Sequence, residues 1–382
     1  MLKNTNNLIK LTLNIKTNKI LKRFNSSYIN INNIKQEVIT RKYFDITKCK
    51  NILKNDTIAI LGYGPQGRAQ SLNLRDNKFN TILGLRKDGK SWDNALKDNW
   101  IPDVNLFDLN EATSKGTIIK YLLSDAGQIE QWKNVKENLY TNDTLYFSHG
   151  FGIHYHKYTN INPPEDINVI MVSPKCSGNT VRKHFENQKG FTSSYAVYKD
   201  YDDRAHDISK ALAFSIGSNY IFETTFENEV ISDLTGERCV LMGLIQAAFS
   251  AQYKVLINNG HTPLEAYNET VEEALKSLYP LIDDKGMDWL YENCSTTAQR
   301  GALDWSKKFE PKLISMITEC YNSVKDESEV KRLIECNKDS DYNSKLKKEL
   351  DYLSKHDLWY IKKQIDRINK KSSSDTWDGF LL

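Results

Sequence analysis

Seven short apolar runs alternate with helical stretches between residues 57 and 222, and a long tract of helical patterning without strand signals follows. Together they predict an α/β protein, a doubly wound parallel sheet followed by an all-α domain. A third observation marks where the sheet begins its chemistry. Residues 57–70, TIAILGYGPQGRAQ, run from an apolar strand straight into Gly62-x-Gly64-x-x-Gly67, the strand–turn–helix junction at which a Rossmann-type sheet receives a dinucleotide. Gly62 allows the tight turn, Gly64 lets backbone approach a pyrophosphate, and Gly67 lets the next helix pack closely. Tyr63, Pro65 and Gln66 complete the loop, and the helix amino terminus offers N–H groups and partial positive charge.

Ahead of this junction, the first 36 residues scatter Lys3, Lys10, Lys16, Lys19, Lys22 and Arg23 among Leu and Ile, with no acid before Glu37. That profile is a transit peptide addressed to the mitochondrial matrix, with cleavage expected after Arg23, near Ser26 and Ser27. The cations interrupt the apolar residues too often for a secretory core or a membrane span. A disordered basic tail is the competing reading, because the whole chain is rich in Asn and Lys.

The formal charge of +3 over 382 residues is concentrated in that leader, so the body is slightly acidic and no nucleic-acid surface is expected. No membrane partner is expected either. Cys49, Cys176, Cys239, Cys294, Cys320 and Cys336 are scattered without a C-x-x-C pair, which points to a reducing compartment without a disulfide framework or zinc site.

The strand candidates are TIAIL, NTILGL, GTIIKYLL, DTLYFS, NVIMVS, SSYAVY and NYIFET. After about residue 226 helical patterns dominate, broken by NNGHTP at 258–263 and DDKG at 283–286. The expected domains are the leader 1–36, a nucleotide-binding domain 37–225, a helical domain 226–321, and a charged helical extension 322–382 that wraps the surface.

In this architecture the second strand ends beside the adenine ribose, where an acid favours NAD and a base accommodates the NADP phosphate. NTILGL ends in Arg86-Lys87, followed by Ser91, with no acid at the tip, which favours NADPH. A merely solvated basic turn is the alternative. Ser124 and Asp125, after GTIIKYLL, fall in the same crevice, and His149 and Lys175 follow the next two strands at their carboxyl ends, where sites of this fold lie.

Within Asp233-Leu-Thr-Gly-Glu237 the two acids are four residues apart. At about 100° per residue they share a face with Leu234, Leu241, Leu244 and Ala248. Carboxylates on an apolar face need neutralising. Magnesium, a hard oxygen-seeking cation, is one solution; an ion pair with adjacent Arg238 is the other. In the next helix, about 262–282, Glu269 and Glu273 point nearly opposite to the stripe Tyr267, Val271, Ala274, Leu275, Leu278 and Ile282. Periodicity by itself makes them a solvated face unless a second subunit covers it.

These pieces together resemble the ketol-acid reductoisomerase family, also called acetohydroxy-acid isomeroreductase, in its short mitochondrial fungal form. The resemblance spans about residues 40–365. It rests on GYGPQGRAQ, GLRKDGKSW, LLSDAGQ, LYFSHGFG, SPKCSGNTVR, SDLTGERCVLMG, NETVEEALKSLYPLI, CSTTAQRGALDW and SDYNSKLKKEL, in the family's order. It implies a two-step reaction on a small-molecule substrate. A magnesium-dependent alkyl migration in 2-acetolactate or 2-aceto-2-hydroxybutyrate precedes NADPH reduction to the 2,3-dihydroxy acid, within valine and isoleucine synthesis.

By the same resemblance Asp233 and Glu237 bridge two magnesium ions, with Glu237 also moving a proton. Glu269 and Glu273 form the second acidic pair, delivered through an intertwined, knotted homodimer. Ser295 hydrogen-bonds substrate, His149 is the essential loop histidine, and Lys175 sits near metal-bound water and substrate. Three departures stand out. Cys176 replaces the usual Gly after the lysine, so Cys176→Gly is expected to raise turnover if the thiol disturbs the loop. Pro65 replaces Ser or Thr and removes one N–H, and the helix reads DLTGERCVLMG where fungal forms carry Tyr at 235 and Gly-Cys at 239–240. The runner-up is a β-hydroxyacid dehydrogenase, which requires neither magnesium nor two acidic pairs.

Overall fold

A computed structural model describes residues 27–372. Residues 1–26 of the expected leader and 373–382 of the expected extension lie outside the described residues. Two compact units divide the chain, one ending at Val230 and the other beginning at Ile231.

The first unit is built on ten strands: β1 (Ser27–Ile31), β2 (Ile34–Thr40), β3 (Ile58–Leu61), β4 (Thr81–Gly84), β5 (Leu106–Phe107), β6 (Ile118–Tyr121), β7 (Thr144–Phe147), β8 (Asn168–Pro174), β9 (Phe191–Lys199) and β10 (Ser218–Glu223). Their order is β1-β2-β10-β9-β8-β7-β6-β3-β4-β5. The run from β5 to β8 is the parallel half-and-half order of a dinucleotide fold, with its switch point between β3 and β6. All seven expected strands are present.

Two features add to the expected doubly wound parallel sheet: β9 runs antiparallel to β8, and β2 antiparallel to β10. Geometry explains the first. Seven residues of β8 cover about 23 Å at 3.3 Å per residue, whereas the nine-residue helix Gly178–Glu186 returns only about 13 Å. The chain therefore re-enters the sheet at the end it left, Pro174 beside Ser193. The hairpin β1–β2 turns through Asn32 and Asn33, both at positive φ, which suits asparagine in a two-residue turn. Residues 27–36, assigned to the leader from composition, thus form β1 and the start of β2.

Strands buried on both faces read as continuous apolar runs because water reaches neither side. Ile58, Ile60, Ile118, Tyr146, Ile170 and Val172 fill one layer; Ala59, Leu61, Ile119, Tyr121, Leu145 and Phe147 fill the other. Each fully buried Ile or Leu contributes roughly 1.5–3 kcal/mol over leaving it exposed.

The second unit is helical. The helix Phe226–Arg238 stops, and Cys239–Met242 turn before a new helix, Gly243–Asn258. At Gly243 a Cβ would lie 2.0 Å from the Arg238 carbonyl oxygen, so only glycine lets the chain re-enter a helix there. The break overturns the single stripe drawn through Leu241, Leu244 and Ala248. Val240, Leu241 and Met242 are 60%, 66% and 65% exposed.

Further on, residues Asn268–Glu272 and Ala274–Leu278 are π-helical, with the Glu273 N–H donating to the Asn268 carbonyl and the Tyr279 N–H to that of Ala274. Pro280 follows; it has no N–H to donate and its ring crowds the carbonyl four residues back, which favours the wider ladder. The core of this unit joins Phe249, Tyr253, Ala266, Tyr267 and Val271 to Leu358 from the helix Asp357–Ser372. The extension therefore contributes core, and the helix Thr296–Lys325 runs across its expected start at 322.

Candidate active site

The glycine-rich loop has the geometry of an anion cradle. Gly62 sits at φ +103°, and a Cβ there would lie 2.7 Å from the Leu122 carbonyl oxygen, in the crevice between β3 and β6. A Cβ on Gly67 would meet the Gly62 carbonyl at 2.2 Å, so the third glycine packs against the turn itself, while Gly64 faces open space. Pro65 is the first residue of the helix Pro65–Asp76, whose Gly64 N-cap makes no side-chain bond and whose first turn holds no acid. Proline is tolerated at that position because its missing N–H would have no helical partner. The Gln66 and Gly67 amides remain.

Two predicted cofactor contacts are redirected. The buried Tyr63 hydroxyl donates to Asp98 Oδ2 at 2.8 Å and accepts from Trp100 Nε1 at 3.0 Å, and Arg68 clamps the same carboxylate with Nε and Nη2. Burial first, and Asp98 second, push the Tyr63 hydroxyl above the ordinary tyrosine range. The Arg68 guanidinium holds Asp98 below the usual carboxylate value. The Gln66 side chain donates to the Cys176 carbonyl at 3.0 Å. Tyr63 and Gln66 can thus meet a ligand through their backbones.

Arg86 and Lys87 follow β4, both exposed, and line a cleft of about 400 Å³ with Leu85, Asp108, Leu109, Asn110, Gln131 and Asn134. Ser91 lies in the first turn of the helix Lys90–Lys97. Ser124 caps the helix Asp125–Lys136, its Oγ accepting from the Gly127 N–H. Gln131 and Asn134 on that helix carried no sequence signal.

His149, two residues past β7, is half-buried, its ring stacked on Phe151 with centroids 6.3 Å apart. Lys175 follows β8, and its Nζ donates to Glu229 Oε1 at 2.5 Å, while Ser194 Oγ donates to Glu229 Oε2 at 2.6 Å. Glu229 is 2% exposed. A buried carboxylate held this way fixes the lysine head, and only tertiary structure brings these three residues together.

The acids of the second unit are placed less tightly. Asp233 is half-buried and Glu237 exposed, which corrects the expectation that both are covered by their own chain's apolar face. Arg238 takes Glu329 as its nearer partner, Nε to Oε1 at 3.0 Å, and donates to the Leu234 carbonyl, with Glu237 at 3.8 Å. Arg332 shares Glu329 and, with Arg238, holds that carboxyl below its ordinary value. Glu269 and Glu273 are exposed on the π-helical segment, where the Gln252 amide donates to the Glu269 carbonyl. Among the described residues no three His, Cys, Asp or Glu converge as a metal site within one chain. Asp233, Glu237, Glu269 and Glu273 are thus not assembled there. Ser295 caps the helix Thr296–Lys325, accepting from the Ala298 N–H at 3.2 Å, and its hydroxyl proton stays available.

Comparison with known proteins agrees in both units. Residues 52–221 match the model of the acetohydroxy acid isomeroreductase NADPH-binding domain, and 226–371 that of the ketol-acid reductoisomerase C-terminal domain. The mitochondrial ketol-acid reductoisomerase of Neurospora crassa is 49% identical over 331 residues, covering 87% of this chain and 82% of that one. The ketol-acid reductoisomerase (NAD(+)) of Desulfosudis oleivorans is also 49% identical, covering 87% and 94%. A solved structure, an NADH-preferring ketol-acid reductoisomerase from an uncultured archean, superposes with a TM-score of 0.78 at 28% identity, covering 87% of this chain and 98% of that one. Two matched domains in order and near-half identity over most of the chain lead to one conclusion: the chain belongs to the ketol-acid reductoisomerase family, enzymes that are both isomerase and oxidoreductase.

Proposed function

We propose that this enzyme isomerises 2-acetolactate and 2-aceto-2-hydroxybutyrate with magnesium and reduces the product with NADPH, as a homodimer in the mitochondrial matrix. The observation that carries the cofactor choice is the cleft beyond β4, where Arg86 and Lys87 present two cations and only Asp108 an acid. That supports a 2′-phosphate over a bare ribose. The preference is argued from these residues because relatives differ: the Desulfosudis enzyme is named for NAD(+).

The donor set suits magnesium, since Asp233, Glu237, Glu269 and Glu273 offer only hard oxygen ligands. Bound ions would supply Lewis acidity to polarise the ketone and acidify the tertiary hydroxyl. Glu237 would take the hydroxyl proton during alkyl migration and give it to the oxygen of the former ketone, while the proton that accompanies hydride in the reduction would come from solvent. Lys175, held by Glu229, places positive charge at the substrate, and the Ser295 hydroxyl orients it. The start of the helix after Gly64 would hold the pyrophosphate on the Gln66 and Gly67 N–H groups.

A second copy would complete the carboxylate set. Exposed Val240, Leu241 and Met242, consecutive between the two helices, offer apolar area of the kind an interface with that copy would cover. The stretch 226–258 is apolar enough by composition to cross a membrane. Its helices, however, are 13 and 16 residues long, and a span requires about 20. For the leader, cleavage after Arg23 would leave β1 whole.

The test follows NADPH oxidation with 2-acetolactate, in magnesium and in excess chelator, beside Glu237→Gln. Magnesium-dependent turnover abolished by the substitution is expected. Turnover that survives chelation would transfer the reading to a simple dehydrogenase.

A further inference from the structure

We propose that Gln70 is a positioning residue that holds the nucleotide loop, the His149 loop and the Lys175 loop in one register through a closed ring of hydrogen bonds with Ser148 and Tyr146. Gln70 and Tyr146 are both fully buried. Gln70 Nε2 donates to Ser148 Oγ at 2.8 Å and to Gln66 Oε1 at 3.0 Å, and its Oε1 accepts from the Tyr146 hydroxyl at 3.0 Å. The single Tyr146 hydroxyl proton is shared between Gln70 Oε1 and the Val172 carbonyl, 3.1 Å away, while the Tyr146 oxygen can accept from Ser148 Oγ at 3.2 Å. Gln66 Nε2 then donates to the Cys176 carbonyl at 3.0 Å.

The direction of this chain is fixed by its far end. A carbonyl only accepts, so Gln66 must present its NH₂ to Cys176 and its oxygen to Gln70. Gln70 must therefore present its own NH₂ to both Gln66 and Ser148, leaving its oxygen for Tyr146. Every polar atom of the buried amide is used, and a buried amide left unpaired is costly.

Placement makes this ring more than packing. Ser148 directly precedes His149, Cys176 directly follows Lys175, and Gln66 lies inside the glycine-rich loop. Three loops that each carry a predicted functional residue are thus tied to one side chain, which is fully buried with its polar atoms on protein partners. A displacement of about 1 Å at a reacting group can cost on the order of 100-fold in rate. The inference rests on the roles proposed above for His149 and Lys175.

The experiment compares the purified enzyme with Gln70→Leu, Tyr146→Phe, Ser148→Ala and the Tyr146→Phe/Ser148→Ala pair, with His149→Gln and Lys175→Met alongside. Turnover, KM for NADPH and melting temperature are read for each. Expected is a fall in kcat of about 10- to 100-fold for Gln70→Leu and Tyr146→Phe with KM for NADPH within about threefold, and a double variant little worse than its worse single, because one ring is broken once. Tyr146→Phe removes a single oxygen and keeps the test open should Gln70→Leu fail to fold. A kcat within twofold of the parent in Tyr146→Phe, with only the melting temperature lowered, overturns the positioning role while His149→Gln and Lys175→Met are impaired. Unimpaired His149→Gln and Lys175→Met would instead overturn the site reading, and the inference with it.

Discussion

Lys120 lies on β6 opposite Tyr146 on β7 and is 0% exposed. Its Nζ has no hydrogen-bond partner among the described residues and stands 3.9 Å from the Tyr146 ring centroid. Burial drives this lysine well below its ordinary value, so the folded state favours the neutral amine and the attraction of a cation to the ring face fades with it. Lys120→Met keeps an unbranched chain of similar length and removes the orphan nitrogen. Leaving a buried polar group unpaired costs about 1–3 kcal/mol, so the variant should be more stable by at least about 1 kcal/mol, which is roughly 2–4 °C for a domain of this size.

The pH dependence is the sharper signature. Between the folded and unfolded titrations of Lys120 the unfolded chain holds a proton that the folded one has lost, so parent stability rises with pH there, by up to about 1.4 kcal/mol per unit. Below the folded titration the lysine is charged in both states and the penalty stands at its full value. The stability gap between Lys120→Met and the parent should thus be widest at low pH and narrow toward about pH 10.4, where the unfolded lysine titrates. Scanning calorimetry of both proteins from pH 6 to 10, as about five paired melts, measures the gap directly, and every other titrating group cancels in the difference. A Met variant that melts lower, or a gap indifferent to pH, would refute the reasoning.

Further predictions concern the site. Arg86→Ala/Lys87→Ala should raise KM for NADPH about 10- to 100-fold, the worth of losing charged hydrogen bonds of about 1.5–3 kcal/mol, and leave KM for NADH nearly unmoved. If steady-state kinetics show both moving together, the pair is only a solvated turn. Glu329→Gln should free Arg238 to turn to Glu237, raising the magnesium concentration needed for half-maximal turnover several-fold and lowering stability by about 1–2 kcal/mol, after discounting a half-exposed network. A magnesium titration unchanged from the parent would sink that coupling. Cys176 is absent from the positive-φ positions, packs against the core, and has its thiol pushed up to about 11 by burial. Its backbone does not call for glycine, so Cys176→Gly should lower stability by about 0.5–1 kcal/mol with turnover no higher than the parent's, as melts and initial rates would show.

Seven strands were legible because strands buried on both faces write themselves as unbroken apolar runs. The other three were not. β5 has two residues, too few for any period, and β1 and β2 are mostly exposed, so SYINI and IKQEVIT carry no clean alternation. Phase arguments at 100° per residue failed at Cys239–Met242, where one helix ends at Arg238 and the next begins at Gly243; at 267–273 they gave the right sides even along a π ladder, with Tyr267 and Val271 buried and Glu269 and Glu273 exposed. Residues that act through the backbone, such as Gly62 and Gly67, were visible as a motif. Those that act through partners distant in sequence were not: nothing in Glu229 or Ser194 announces Lys175, and nothing in Glu329 announces Arg238. Gln66 and Gln70 left a trace, an amide pair at helical four-residue spacing inside the glycine motif.

The buried Leu358 changes how damage to the distal coding sequence should be read. A premature stop after the helix Thr296–Lys325 would spare every residue assigned to chemistry, yet it would strip Leu358 from Phe249, Tyr253 and Tyr267 and take Glu329 from Arg238. Such an allele would resemble a harmless shortening on paper and behave as a folding lesion, its product cleared before it could catalyse anything.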